Sequence, residues 1–289
     1  MSGFGYAEPR TVSEALSLLR VYGASAAVLA GGTDVINQIH LGKRTPTMVI
    51  NIKKIADLHG EIIVRPDGVE IGALATLTKV AEHPVIQERF AALAEAAVKV
   101  GSKQVRNRGT LAGNICNASP AADTVTGLLV FDAVVNVVTG DEGMRAVPLE
   151  EFITGPGRTV LSNDELVANV FLPYLPTQAA STYSKLSRRE GVDLATVGVA
   201  VAATQEGGAR IALGAVGPKA FRASRAENLL KSLVIAEKTI NEAIRTILED
   251  AKPISDLRGS REYRLAMVEA LTRRAINDVT AKLIGLKED

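Results

Sequence analysis

An α+β architecture in two parts is expected, on three grounds. Over the first 175 residues, short apolar runs ended by glycine or turn residues alternate with helical patterns. Beyond them lie three strand-like runs and then three helical runs, and Pro173 and Pro176 break the pattern in between. The expected division is 1–175, with subdomains of about 1–55 and 56–175, followed by 176–289.

Each element has a local reason. Residues 11–22, TVSEALSLLRVY, open with a Ser/Thr-x-x-Glu start and repeat apolar residues at helical spacing until Gly23. Residues 26–30 form an apolar strand ending in Gly31-Gly32, and residues 34–41 are weakly helical, which makes a strand, a glycine turn and a helix. A strand at 48–51 follows. In IIVRPDGVEIGAL, residues 62–74, Pro66-Asp67-Gly68 separates two apolar runs and so makes a hairpin. Thr78 is expected to cap a helix near Val80, and the alanine-rich run 90–100 to be a helix stopped by Gly101, with the polar stretch SKQVRNRGT after it. The longest apolar stretch, 127–138, reads as a buried strand, with strands also at 133–139 and 165–172. The second part has strands near 181–187, 194–205 and 209–216, then helices at 225–233, 236–249 and 263–284.

Composition narrows the function classes. With 47% hydrophobic and 22% charged residues, and Lys+Arg 33 against Asp+Glu 32, the balance is that of an ordinary soluble globular protein, with nothing pointing to nucleic acid. The 127–138 stretch carries Asp132 and Asn136 and falls short of the ~20 apolar residues of a membrane span. The N-terminus lacks a basic start and apolar run, so the cytoplasm is the expected compartment. Cys116 is the only cysteine, which excludes an internal disulfide and four thiolates for an iron-sulphur cluster. His40, His59 and His83 are scattered, so no metal site is expected.

Two segments concentrate small and hydrogen-bonding residues. In Leu29-Ala30-Gly31-Gly32-Thr33-Asp34-Val35, paired glycines after a strand let backbone N–H groups converge on an anion, although the pattern is neither G-x-G-x-x-G nor a P-loop. A simple tight turn is the alternative. The second segment runs from Thr110 through Ala112, Gly113, Asn114, Cys116, Asn117 and Ser119 to Asp123. Its hydroxyls and amides suit phosphate or ribose oxygens, and Asp123 suits ribose hydroxyls; the alternative is a capped, buried turn. Two such segments suit a ligand with two ends, such as a dinucleotide.

Together, Ala30-Gly31-Gly32-Thr33-Asp34, then Thr110-Leu111-Ala112-Gly113-Asn114-Ile115 and Ser119-Pro120-x-x-Asp123, resemble the FAD-binding subunits of molybdenum hydroxylases. A third stretch, from Tyr183-Ser184-Lys185 to Ala195, is similar to that family's C-terminal domain, and the resemblance runs over essentially the whole chain. It implies a two-part vanillyl-alcohol-oxidase-type (PCMH-type) FAD-binding domain, then a C-terminal domain of a three-stranded antiparallel sheet and a helical bundle. It further implies that residues 30–35 wrap the FAD pyrophosphate, that Thr110, Gly113, Asn114 and Asp123 supply further contacts, that Leu161 touches the flavin and that Lys185 approaches the isoalloxazine ring. Lys185 would place positive charge near the flavin and raise its reduction potential, an exposed strand lysine being the alternative. Arg188 and Arg189, beside Glu190 and Asp193, form either a polar loop at the flavin's open face or a solvated cluster.

The sequence departs from some relatives, which carry an aromatic residue shielding the flavin where this chain has the neighbourhood of Leu194. It also lacks the cysteine-bearing insertion of the benzoyl-CoA reductase relatives. Within the family, Gly31-Gly32-Thr33-Asp34 leans towards the xanthine dehydrogenase and N-heterocycle type. The implied function is electron transfer in a dimer of heterotrimers. A purine-like or N-heterocyclic substrate is hydroxylated at molybdopterin on a large subunit, electrons pass 2Fe-2S centres on a small subunit, and FAD on this chain delivers them to NAD or another acceptor. A freestanding FAD oxidase or dehydrogenase is the alternative, against which no histidine lies in a flavin motif. A non-enzymatic nucleotide-binding module would share the glycine turns but not the Lys185 stretch.

Overall fold

The computed structural model describes residues 3–141, 143–175, 178–231 and 236–285. Pro176 and Thr177, at the expected boundary, and Leu233, at the end of an expected helix, lie outside them.

The chain begins with β1 (Gly5–Ala7), α1 (Val12–Tyr22), β2 (Ala26–Leu29), α2 (Val35–His40) and β3 (Met48–Asn51), and its three strands form a parallel sheet in the order β1-β3-β2. Thr11 caps α1 by accepting from the Glu14 N–H at 3.2 Å, while the Glu14 carboxylate takes the Arg10 N–H at 2.7 Å. The buried stripe Ala15, Leu16 and Leu19 then packs with Ile50, Ile52 and Ile55.

A hairpin follows, β4 (Ile62–Arg65) and β5 (Gly68–Gly72), turning at Pro66-Asp67 as expected. Six helices intervene: α3 (Leu77–Glu82), α4 (Pro84–Arg89), α5 (Ala91–Val98), α6 (Lys103–Arg106), α7 (Leu111–Cys116) and α8 (Asp123–Leu129). Then come β6 (Val134–Val138), β7 (Met144–Pro148), α9 (Leu149–Phe152), the ribbon β8 (Ile153–Gly155) with β9 (Arg158–Thr159), and β10 (Leu166–Pro173). An antiparallel sheet in the order β4-β5-β10-β6-β7 backs the helices.

The remainder is β11 (Ala179–Leu186), β12 (Val197–Thr204), β13 (Ala209–Gly214), β14 (Phe221–Arg222), α10 (Ser224–Glu227), α11 (Glu237–Asp250) and α12 (Arg261–Gly285). The alternation in β12 explains how this sheet is sandwiched. Val197, Val199 and Val201 join the core with α11 and α12, whereas Ala200 and Ala202 face the core that contains α5 and α8. Small residues on that face allow close approach: a Cβ on Gly214 would fall 2.3 Å from Thr126 Oγ1. Polar ties seal the contact, with Ser181 Oγ accepting from the Ala92 N–H at 3.0 Å and Glu95 accepting from the Tyr183 N–H at 2.7 Å.

Several local expectations are corrected. The helix near Val80 is capped by Thr76, whose hydroxyl accepts from the Lys79 N–H, and not by Thr78. The apolar stretch 127–138 is not one strand: its first part ends α8, Asp132 turns the chain at φ +53°, and only then does β6 begin. Apolarity reported burial correctly there but not the period. The helix expected at 225–233 is the single turn α10, and the C-terminal sheet gains the two-residue edge strand β14.

Candidate cofactor site

The turn after β2 is built on its glycines. Gly31 lies flat against the Arg108–Gly109 backbone, where a Cβ would fall 2.1 Å from the Arg108 carbonyl oxygen, and Gly32 takes φ +81°. Among the described residues, none of the backbone N–H groups of Gly31, Gly32, Thr33 and Asp34 donates to a protein acceptor. Such unspent donors on successive residues form a concavity for an anion.

The second segment is docked through backbone on residues 75–77, where α3 begins. The Leu77 N–H donates to Gly109 O and the Leu111 N–H to Ala75 O, so Thr110 is held beside Thr76. Thr110 Oγ1 caps α7 by accepting from the Gly113 N–H at 3.0 Å, and Asn114 Oδ1 accepts from the Thr124 hydroxyl at 2.6 Å. Asn117 joins the two segments: its Nδ2 donates to Asp34 at 3.4 Å, and its Oδ1 accepts from Gln38 Nε2 at 3.2 Å. Among the described residues no cation is bonded to Asp34, and partial desolvation raises its carboxyl pKa above 3.8.

Between the segments lies a cleft of about 470 Å3. Of the expected site residues, Ala30, Gly31, Gly32, Asp34, Val35, Thr110, Ala112, Gly113, Asn114, Asn117 and Leu161 line it. Thr33 instead faces a shallower hollow of about 410 Å3, with Ile36, His40 and Arg108, that shares Gly31 and Gly32 with the cleft. Leu29 points away from both, into a small core with Ala27, Val35 and Val49. Ser119 Oγ serves its own turn by accepting from the Ala121 N–H.

Asp123 and Lys185 are brought to each other and not to the cleft wall. Lys185 Nζ donates to Asp123 Oδ2 at 2.9 Å, to Lys99 O at 3.0 Å and to Asp193 O at 2.8 Å, with 4% of its side chain exposed. Tyr183 donates to Asp123 Oδ1 at 2.5 Å, so both carboxylate oxygens are engaged within the protein. Burial pushes the Asp123 carboxyl up, with Lys185 opposing, and burial together with Asp123 pushes the Tyr183 phenol well above its usual range. Arg188 pairs with Asp193 at 3.2 Å and Arg189 reaches Val192 O, both on an exposed loop.

Among the lining residues that sequence reasoning missed are Gln38, Arg44, Gly157 and Glu165. Gln38 follows Asp34 at helical spacing, a usable signal, whereas Arg44, Gly157 and Glu165 reach the cleft only through the tertiary fold. Glu165 is gripped by Arg145 in a two-point ion pair at 2.8 and 2.7 Å and by the Ser162 N–H, which holds its carboxyl below 4.5 and shapes the Leu161 segment. Cys116 also lines the cleft, its thiol pushed up to about 12 by burial, so it is a neutral thiol. No cluster of metal-ligating side chains occurs among the described residues, and no described helix is long and apolar enough to cross a membrane.

Two hollows meeting at a turn of unspent N–H donors fit a ligand with two bulky ends and a central diphosphate. FAD has that form, and the cleft's ionisable groups are the exposed Asp34 beside the glycine turn, the paired Glu165, Arg44 and the neutral Cys116.

Comparison with known proteins agrees. Residues 2–175 match the family described as FAD binding domain in molybdopterin dehydrogenase, and residues 181–279 match the CO dehydrogenase flavoprotein C-terminal domain. The chain is 32% identical to the xanthine dehydrogenase FAD-binding subunit of Escherichia coli over 97% of each chain. It is 30% identical to the nicotinate dehydrogenase FAD-subunit of Eubacterium barkeri over 99% of each. A solved structure of carbon monoxide dehydrogenase from Hydrogenophaga pseudoflava superposes with a TM-score of 0.91 at 33% identity, covering 96% of this chain and 97% of that one.

Proposed function

Because this chain belongs to the family of FAD-binding subunits of molybdenum hydroxylases, we propose that it passes electrons from a 2Fe-2S subunit to an external acceptor. The organic substrate, an N-heterocycle or purine-like compound, is oxidised on a separate molybdopterin subunit. The observation that carries this reading is the cleft itself, which offers a run of backbone donors for a diphosphate between two hollows.

FAD supplies reversible two-electron chemistry with single-electron steps on the iron-sulphur side. The N–H groups of residues 31–34 would bind the pyrophosphate, Asn114 and Asn117 would offer amide groups to neighbouring polar oxygens, and Leu161 would exclude water from the flavin. Lys185, its position set by Asp123, would place positive charge towards the flavin ring and so favour the reduced flavin. Assembly as a dimer of heterotrimers, NAD as acceptor and cytoplasmic location complete the proposal.

The test is purification of the chain with its native partners, release and identification of the flavin, and anaerobic addition of xanthine, nicotinate or quinoline. Flavin bleaching that needs the molybdenum and iron-sulphur subunits supports the reading. Bleaching of FAD on the lone chain by an organic substrate would overturn it in favour of a freestanding flavoenzyme.

A further inference from the structure

Arg264, at the start of α12, is 1% exposed, among the most buried side chains of the molecule. A buried guanidinium is costly unless its donors are filled, and here the two terminal nitrogens are spent on three separate segments, while the buried Nε has no partner among the described residues. Nη1 donates to Thr196 O at 2.6 Å and to Ala215 O at 3.0 Å, and Nη2 donates to Asp256 Oδ1 at 2.7 Å. Asp256 is in turn held by Arg258, through its N–H at 2.8 Å and its guanidinium at 3.1 Å.

Two of those segments lead to the Lys185–Asp123 pair. Thr196 ends the loop that follows Lys185, and its N–H donates to Leu186 O at 2.7 Å; within that loop Lys185 holds Asp193 O. Ala215 is a non-glycine residue at φ +64°, a conformation that persists only when its surroundings enforce it. Its N–H donates to Pro120 O at 2.8 Å, three residues before Asp123. The contacts therefore close a ring: Lys185 to Asp123, Pro120 to Ala215, Ala215 to Arg264, Arg264 to Thr196, and Thr196 back to Leu186.

We propose that Arg264 is a positioning residue that sets the Lys185–Asp123 pair by clamping Thr196 and Ala215, and so sets the flavin's reduction potential. This rests on the reading above that Lys185 lies beside the flavin. Without the clamp, the loop 187–196 and the Ala215 turn relax, Lys185 loses its fixed register with Asp123, and its charge acts on the flavin from a wider range of positions.

The test compares Arg264→Met, Arg264→Lys and Lys185→Met in the FAD-loaded complex, with Asp256→Asn as a second route to a loosened clamp if Arg264→Met does not fold. Two readouts are taken: hydrogen exchange of residues 187–196 and the flavin midpoint potential. Arg264→Met, or Asp256→Asn in its place, is expected to speed exchange in that loop at least tenfold. It should also lower the potential by less than Lys185→Met does, and Arg264→Lys should restore part of both. Unchanged exchange in 187–196 overturns the clamp, as does faster exchange with an unmoved potential while Lys185→Met moves it. A potential that Lys185→Met leaves unmoved overturns the placement of Lys185 beside the flavin instead, and the exchange result then still decides the clamp.

Discussion

Gly31 and Arg108, 77 positions apart in the chain, touch backbone to backbone, so closely that a Cβ on Gly31 would fall 2.1 Å from the Arg108 carbonyl oxygen. The contact docks the first cofactor segment on the start of the second. It predicts that Gly31→Ala costs stability, about 3 kcal/mol in denaturant unfolding, because neither backbone can yield cheaply. Ala30→Leu instead projects into the cleft without touching that junction. It should lower FAD content of the purified protein at least tenfold while leaving the unfolding midpoint within a few degrees. Full FAD content in Ala30→Leu would remove the cleft as the cofactor site.

The Glu165–Arg145 pair yields a pH prediction. The folded pKa of Glu165 lies below its ordinary 4.5, first because Arg145 hydrogen-bonds it. Its contribution to stability is therefore fully present above about pH 4.5 and is lost as pH falls through the lower folded value. Glu165→Gln should cost about 2 kcal/mol at pH 7, and the gap to wild type should narrow on acidification towards pH 3. A gap independent of pH, followed by urea unfolding at each pH, would contradict the assignment.

Lys185 and Asp123 should show strong coupling. Lys185→Met leaves a buried carboxylate with only Tyr183 as a side-chain partner, and Asp123→Asn leaves a buried ammonium, each costing about 3–5 kcal/mol. The double variant removes both charges and should lose clearly less than the sum. In FAD-loaded protein, Lys185→Met should lower the flavin potential and Asp123→Asn raise it, opposite signs that a general loss of packing does not produce.

Cys116 should be inert. With its thiol pushed up to about 12, the thiolate is scarce at pH 8, and alkylation should run on the order of a thousandfold slower than for an exposed cysteine. Unfolding in guanidinium should restore the ordinary rate. Fast labelling of the native protein would mean that the site opens readily.

Much of the architecture was legible because local chemistry wrote it. The Thr11-x-x-Glu14 start and the Pro66-Asp67 turn each state their structure through neighbours a few residues away. The stretch 127–138 was misread because a fully buried helix end and a buried strand are equally apolar. Eleven expected residues do line one cleft, yet Arg44, Gly157 and Glu165 carried no local sign of belonging to it.

Residue types alone determined that two segments are dense in small and hydrogen-bonding residues and that this chain holds a single cysteine and so no set for a cluster, since those are matters of which groups exist. The destinations of the polar groups were settled by long-range packing. Both oxygens of Asp123 are taken up by Tyr183 and Lys185, Thr110 is spent on a helix cap, and Asn117 ties Asp34 to Gln38. A hydrogen-bonding group names what it can do, but its partner lies 60 or more residues away for Asp123, and only folding determines which groups are buried together and must satisfy one another.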